Sequence, residues 1–204
     1  MARSRKPDRR KSSGDPRADH YFYKAKDEGF AARSVYKLEE IDRRDGLLRA
    51  GMRVLDLGCA PGSWTQYAAR RVGPTGFVLG IDRTPCALSL PNARTVTADL
   101  LEETPGGDEP FDVVLSDMAP ATSGIRDVDE ARSLELVRAA AAVAAARLAP
   151  GGSFVAKIFQ GPDTKALVEE LRAAYRECAL RRPKATRSES REIFLVCREF
   201  RGRG

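Results

Sequence analysis

The chain has 204 residues, 42% of them hydrophobic, which suits a single domain with a sizeable core. Lys plus Arg number 35 against 29 Asp plus Glu, a net charge of +6, and that basic balance points to a polyanionic partner. Four scattered cysteines (Cys59, Cys86, Cys178, Cys197) without a C-x-x-C pair, and one histidine, argue against a structural zinc site or a disulfide framework; the charged N-terminus and the lack of a long apolar run exclude a signal peptide and a membrane span. A cytoplasmic monomer with no membrane partner and no metal is the expectation.

Residues 1–18 hold seven bases, Arg3 to Arg17, against Asp8 and Asp15, with almost no large apolar side chains. Such a segment cannot bury enough surface to offset its ordering entropy, so a disordered basic arm is expected. A single domain over 19–200 and a flexible basic tail at 201–204 complete the organisation. From His20 the composition changes to aromatics interleaved with bases, His20-Tyr21-Phe22-Tyr23-Lys24-Ala25-Lys26. Ser34 is placed to cap a helix on which Val35, Leu38 and Ile41 repeat at helical spacing. Lys37 rides on that helix, where a lone lysine is ordinarily a solvated side chain.

Gly51 turns the chain into a strand over Met52 to Leu57, and Ser63 to Val72 reads as the following helix. Further apolar runs follow at Phe77 to Asp82, Ala93 to Ala98 and Phe111 to Ser116. Four strands thus stop at an acid: Asp56, Asp82, Asp99 and Asp117. In an open parallel sheet the strand C-termini share one edge, and ligands bind there. Prolines 85 and 91 bracket the segment after Asp82, so its helix should be short or missing. A long alanine-rich helix over Asp127 to Leu148, stopped by Pro150-Gly151-Gly152, leads to a strand at Ser153 to Phe159 and a helix over Asp163 to Tyr175. Ala179 to Arg181 and Ile193 to Cys197 read as a closing strand pair joined by the basic loop Arg182 to Arg191.

The glycine spacing selects among nucleotide folds. Gly58-Cys59-Ala60-Pro61-Gly62 fits neither the dinucleotide turn G-x-G-x-x-G nor the phosphate loop G-x-x-x-x-G-K-[ST]. Asp56-Leu57-Gly58-x-x-x-Gly62 offers backbone amides beside a carboxylate, which suits the amino acid moiety of S-adenosylmethionine better than a pyrophosphate. Asp82 is placed to accept from ribose hydroxyls and Asp99 from an adenine amino group. Either acid taken alone is also an ordinary turn or capping residue, and a lone tryptophan such as Trp64 on a first helix is usually core.

Taken together, Ser34-Val35-Tyr36-Lys37-Leu38, Asp56 to Trp64, Ser116-Asp117-Met118-Ala119-Pro120 with Ser123-Gly124, Pro150 to Lys157 with Phe159-Gln160-Gly161, and Ser190-Arg191-Glu192 resemble the FtsJ/RlmE-type ribosomal RNA large-subunit 2′-O-ribose methyltransferases. The resemblance runs in order from about residue 20 to 198. It implies a Rossmann-like α/β methyltransferase fold: a mostly parallel seven-stranded sheet with one antiparallel strand and helices on both faces. It implies a catalytic tetrad of Lys37, Asp117, Lys157 and Glu192, and S-adenosylmethionine held by Gly58, Gly62, Trp64, Asp82, Asp99 and Asp117. The implied substrate is a uridine ribose in the A-loop of 23S rRNA in the large ribosomal subunit; a tRNA or cap-type RNA ribose is the alternative. Arg181, Arg182, Lys184, Arg187, Arg191 and the Tyr21 to Lys26 segment are the expected RNA-contacting surfaces. A lysine, with an ordinary pKa of about 10.4, must lose its proton before it can act as a base, and a second cation, burial and a sulfonium favour that loss while carboxylates oppose it.

Overall fold

The structure, a computed structural model, describes residues 16–99, 109–187 and 189–202. Helices α1 (Pro16–Asp27) and α2 (Val35–Asp45) precede β1 (Arg53–Leu57), α3 (Ser63–Val72), β2 (Phe77–Asp82), β3 (Ala93–Thr97) and β4 (Phe111–Ser116). Then follow α4 (Arg126–Arg147), β5 (Leu148–Phe159), α5 (Thr164–Arg172), β6 (Tyr175–Arg181) and β7 (Glu192–Phe200). The strands form one sheet of order β3-β2-β1-β4-β5-β7-β6. Only β7 runs against its neighbours, β5 and β6; every other pairing is parallel. The expected seven-stranded, mostly parallel sheet with one reversed strand is the one found.

Strand parity divides the core. Leu55, Leu57, Val114, Phe154 and Ile158 face α4 and α5, joining Val137, Ala140, Ala144, Leu167 and Leu171. The alternate residues Val54, Val113, Leu115, Val155 and Phe194 face α2 and α3, against Leu38, Ile41, Trp64 and Ala68. A polar knot fixes α2 on α3: the buried carboxylate of Asp42 accepts from Leu48 N (2.8 Å), Tyr67 OH (2.9 Å) and Arg71 Nε (2.9 Å).

Several expectations shift. Residues 1–15 of the expected arm lie outside the described residues, and the last of the arm is helical. Pro16 opens α1, where a proline's missing N–H costs nothing. At the other end, Arg201 N donates to Ala174 O (2.9 Å), which ties the start of the expected tail to the domain. Ser34 precedes α2 but makes no side-chain cap; its hydroxyl pairs instead with that of Ser63, 2.9 Å away. Pro150-Gly151-Gly152 does not separate helix from strand. Strand β5 begins at Leu148, opposite Phe111, and the three residues form a bulge before Ser153 pairs with Val113. Helix α5 ends at Arg172, because Tyr175 already opens β6, buried between Phe154 and Phe200. No helix forms after Asp82, as the prolines predicted.

The cysteines contain a second correction. Cys178 and Cys197 are register partners of the β6–β7 ladder and are joined by a disulfide, with sulfurs 2.24 Å apart. Separation along the chain is a poor guide where antiparallel pairing returns one residue opposite another.

Candidate active site

The C-terminal ends of β1, β2 and β4 enclose a cleft of about 180 Å³ lined by Leu57, Gly58, Asp82, Arg83, Asp99, Met118 and Ala119, with α4 forming the far wall. Gly58 sits at φ +74° where β4 passes close by: a Cβ there would lie 2.5 Å from Met118 Cγ and 3.2 Å from its backbone. Gly62, at φ +108°, is pressed in the same way by Leu88 and Cys86. Glycine at these positions lets the turn adopt a left-handed conformation and pack against its neighbours without strain.

The turn's amides do not face the cleft as the sequence suggested. Gly58 N and Cys59 N both donate to Ile81 O (2.8 and 3.2 Å), Gly62 N to Cys59 O (2.6 Å), and Ala60 N to Asp82 Oδ2 (2.9 Å). Asp82 also accepts from Thr84 N (2.7 Å), so its carboxylate braces the turns after β1 and β2 while one lone pair on each oxygen stays available to a ligand. Asp99 reaches the same cleft and pairs with Arg83 at 3.5 Å. The lining is therefore an apolar floor of Leu57, Met118 and Ala119 with carboxylates at one end. It fits a flat, hydroxyl-bearing ligand such as an adenosyl group.

Trp64 is placed elsewhere. It is buried in the α2–α3 core against Phe194, with ring centroids 5.7 Å apart, and is not among the residues lining the cleft. Its Nε1 donates to Ser34 O (2.9 Å), so it ties the starts of α2 and α3 together.

The four tetrad residues do meet. Lys157 and Glu192 share the α2–α3 face of the sheet by parity, because Lys157 is the register partner of Phe194 and Glu192 lies two residues before it on β7. Lys37, on the buried side of α2, ion-pairs with Glu192. Lys157 Nζ lies 2.9 Å from Asp117 Oδ1 and donates a 2.6 Å hydrogen bond to Asp117 O. The aligned hydrogen bond goes to that carbonyl; the approach to the carboxylate is a contact of charges. Burial raises the Asp117 carboxyl above its ordinary value, against the pull of Lys157 and Lys37 and with the push of Glu192. Asp117 thus sits within the field of all three partners, directly before Met118 of the cleft.

Lys37 and Glu192 also line an open basin with Arg33, Arg187, Glu189 and Ser190. The basic loop forms its rim, but part of that loop is committed to the protein. Arg181 makes a bidentate pair with Asp45 (2.6 and 2.9 Å), and Arg191 bonds to Glu130 of α4 (2.5 Å). Both were expected on the RNA-facing surface; each finds a carboxylate more than fifty positions away in sequence, which no local pattern announces. Lys184 and Arg187 remain exposed. The sequence reading missed the Glu130–Arg191 pair, which together with Gln160 N donating to Arg191 O (2.9 Å) fixes the chain just before Glu192. Among the described residues no group of His, Cys, Asp and Glu is arranged to hold a metal, and no helix is long and apolar enough to cross a membrane.

A reversed seventh strand inserted between β5 and β6, with a cleft at the ends of β1, β2 and β4, defines an α/β methyltransferase. The chain belongs to the FtsJ-like methyltransferase family, whose profile matches residues 30–200. It is 51% identical over 193 residues to a protein of Nitratidesulfovibrio vulgaris named ribosomal RNA large subunit methyltransferase E, covering 91% of this chain and 96% of that one. A protein of the same name from Sorangium cellulosum is 52% identical over 184 residues, covering 88% and 87% of the two chains. Among solved structures, one of a Plasmodium falciparum protein named as a ribosomal RNA methyltransferase superposes with a TM-score of 0.75 at 27% identity, covering 85% of this chain and all of that one.

Proposed function

We propose that the protein transfers a methyl group from S-adenosylmethionine to the 2′-oxygen of a uridine ribose in the A-loop of 23S rRNA, acting on the large ribosomal subunit. The observation that carries this reading is the juxtaposition of two lysine–carboxylate pairs, Lys157–Asp117 beside the strand-end cleft and Lys37–Glu192 in the wall of a basin that also bears Arg33 and Arg187. The names of the relatives support the choice of ribosomal RNA.

S-adenosylmethionine supplies an electrophilic methyl on a cationic sulfur. Asp82 and Asp99 would accept hydrogen bonds from its adenosyl end, and Leu57, Met118 and Ala119 would form the floor beneath it. A ribose hydroxyl is a weak nucleophile, so the protein's work is to hold the oxygen in line and receive its proton. Lys157, held by Asp117, is placed to take the 2′-hydroxyl proton once it has released its own to solvent, and Lys37, held by Glu192, is the second cation beside it that favours that release. In-line placement and charge stabilisation then carry the acceleration, without a covalent intermediate.

The test is to incubate the protein and labelled S-adenosylmethionine with large subunits, free 23S rRNA and tRNA from a strain lacking the enzyme, and to map the methylated ribose. Label at a uridine ribose of 23S rRNA within subunits is the expected result; label in tRNA alone overturns the substrate. Lys157→Ala should abolish transfer with the cofactor dissociation constant unchanged, and undiminished transfer overturns the role of Lys157.

A further inference from the structure

Helix α1 is a two-faced element whose outer face the chemistry above does not use. Its inner face packs through Ala25 and Tyr21 on a small cluster with Tyr36, Val35 and Ala185. Tyr36 OH donates to Glu28 (2.9 Å) and Lys24 Nζ sits 4.3 Å above the Tyr36 ring, so the helix is anchored through its second half. The anchor residues adjoin the basin: Tyr36 precedes Lys37, and Ala185 stands two residues before Arg187.

The outer face carries Phe22 and Tyr23, 58% and 63% exposed, whose rings meet edge-to-face with centroids 5.5 Å apart. Large apolar side chains are otherwise buried: among the described residues only Ile125 and Leu180 are comparably exposed, and neither is aromatic. At 100° per residue, Lys26 projects between Phe22 and Tyr23 on the same face, and it too is exposed. Two open rings with a cation between them match the chemistry of an unpaired nucleotide, a base with a bare π-face and a phosphate beside it. A duplex hides its base faces and offers such rings nothing to stack on. Charge complementarity favours the same occupant. Residues 1–15, leading into α1, add six bases against two acids, and Lys184 and Arg187 are exposed near the helix's inner anchor.

We infer that Phe22 and Tyr23, with Lys26, form a stacking platform on α1 for unpaired bases of the RNA substrate, flanking the nucleotide held in the basin. This rests on the reading of the chain as an RNA ribose methyltransferase.

The test measures fluorescence anisotropy of a labelled single-stranded RNA of about 12 nucleotides, and of a hairpin duplex, with the full chain. Phe22→Ala/Tyr23→Ala should weaken single-strand binding about tenfold or more, by the same factor at low and high salt, and leave duplex binding and the S-adenosylmethionine dissociation constant unchanged. Lys26→Ala should instead make the salt dependence shallower, by about 0.7 in the log–log slope. If the alanine pair unfolds, Phe22→Leu/Tyr23→Leu keeps the apolar bulk and removes the π-faces, and the same loss is expected. Unchanged single-strand affinity overturns the platform, as does an equal loss on duplex or on anionic vesicles. A fall in melting temperature with RNA affinity intact overturns it in favour of residues 1–15 as the cover. A parent chain that binds and methylates no RNA overturns the functional reading itself; a parent that does both, with variants unaffected, overturns the platform alone.

Discussion

Lys37 on α2 and Glu192 at the start of β7 lie 155 residues apart in the chain and form an ion pair whose two side chains are 11% and 12% exposed. Their meeting fixes where α2 sits on the sheet. Removing one partner leaves the other charge buried and unpaired, at a cost of about 3 kcal/mol once the residual exposure is discounted. Glu192→Ala should therefore lower both the melting temperature and the methyl transfer rate. Lys37→Met/Glu192→Leu should recover most of the stability and none of the transfer. Recovery of activity in the double variant would show that the pair is structural only.

Gly58 and Gly46 both have positive φ, but only Gly58 is crowded. At Gly46, the end of α2, a Cβ meets nothing within 4 Å, so Gly46→Ala should cost only the left-handed strain, about 1–2 kcal/mol. Gly58→Ala adds a collision with Met118 on the cleft floor. It should cost more in melting temperature and weaken S-adenosylmethionine about tenfold or more, read by calorimetric titration. Equal effects of the two substitutions would mean that the close approach of Met118 is unimportant.

Trp64 separates a ligand from a core residue. Trp64→Phe removes the hydrogen bond to Ser34 O and some volume, so a stability loss of about 1–3 kcal/mol is expected with little change in S-adenosylmethionine affinity. An undiminished melting temperature with tenfold weaker binding would return Trp64 to the cofactor site.

Asp56 is fully buried, and burial raises its carboxyl to about 7 although Thr65 Oγ1 donates to it at 2.6 Å. The folded chain then holds a proton that the unfolded chain, near the ordinary 3.8, has released. For this group stability is greatest below the unfolded value, falls as pH rises from about 4 to about 7, and is level above that. The fall amounts to about 4 kcal/mol at most. Asp56→Asn, neutral and of the same shape, should gain melting temperature relative to the parent between about pH 5 and about pH 8. A difference independent of pH would refute the assignment.

Local signals carried much of this architecture. The apolar runs ending at Asp82 and Asp117 gave strands within a residue of those found, and Ser63 to Val72 is the helix that the glycine turn leads into. Parity even places Glu192 with Phe194 on the Lys157 face once β7 is recognised. What stayed hidden was the use of polar groups over long range. The amides of the glycine turn look free in sequence, yet Ile81 O takes two of them because β2 ends alongside. Arg181 reads as surface charge until Asp45, 136 residues away, is seen to hold it.

The start of α2 is fastened to the start of α3 twice, by the Ser34–Ser63 hydroxyl pair and by Trp64 Nε1 on Ser34 O. Lys37 stands one helical turn beyond that fastening, and the Gly58 to Gly62 turn ends immediately before it. The turn therefore has a fixed length in a mechanical sense: one residue added between Gly58 and Ser63 would be transmitted through the serine pair to the lysine. Natural length variation should fall instead in turns that touch neither half of the site, where an added residue moves neither the cleft nor the lysine.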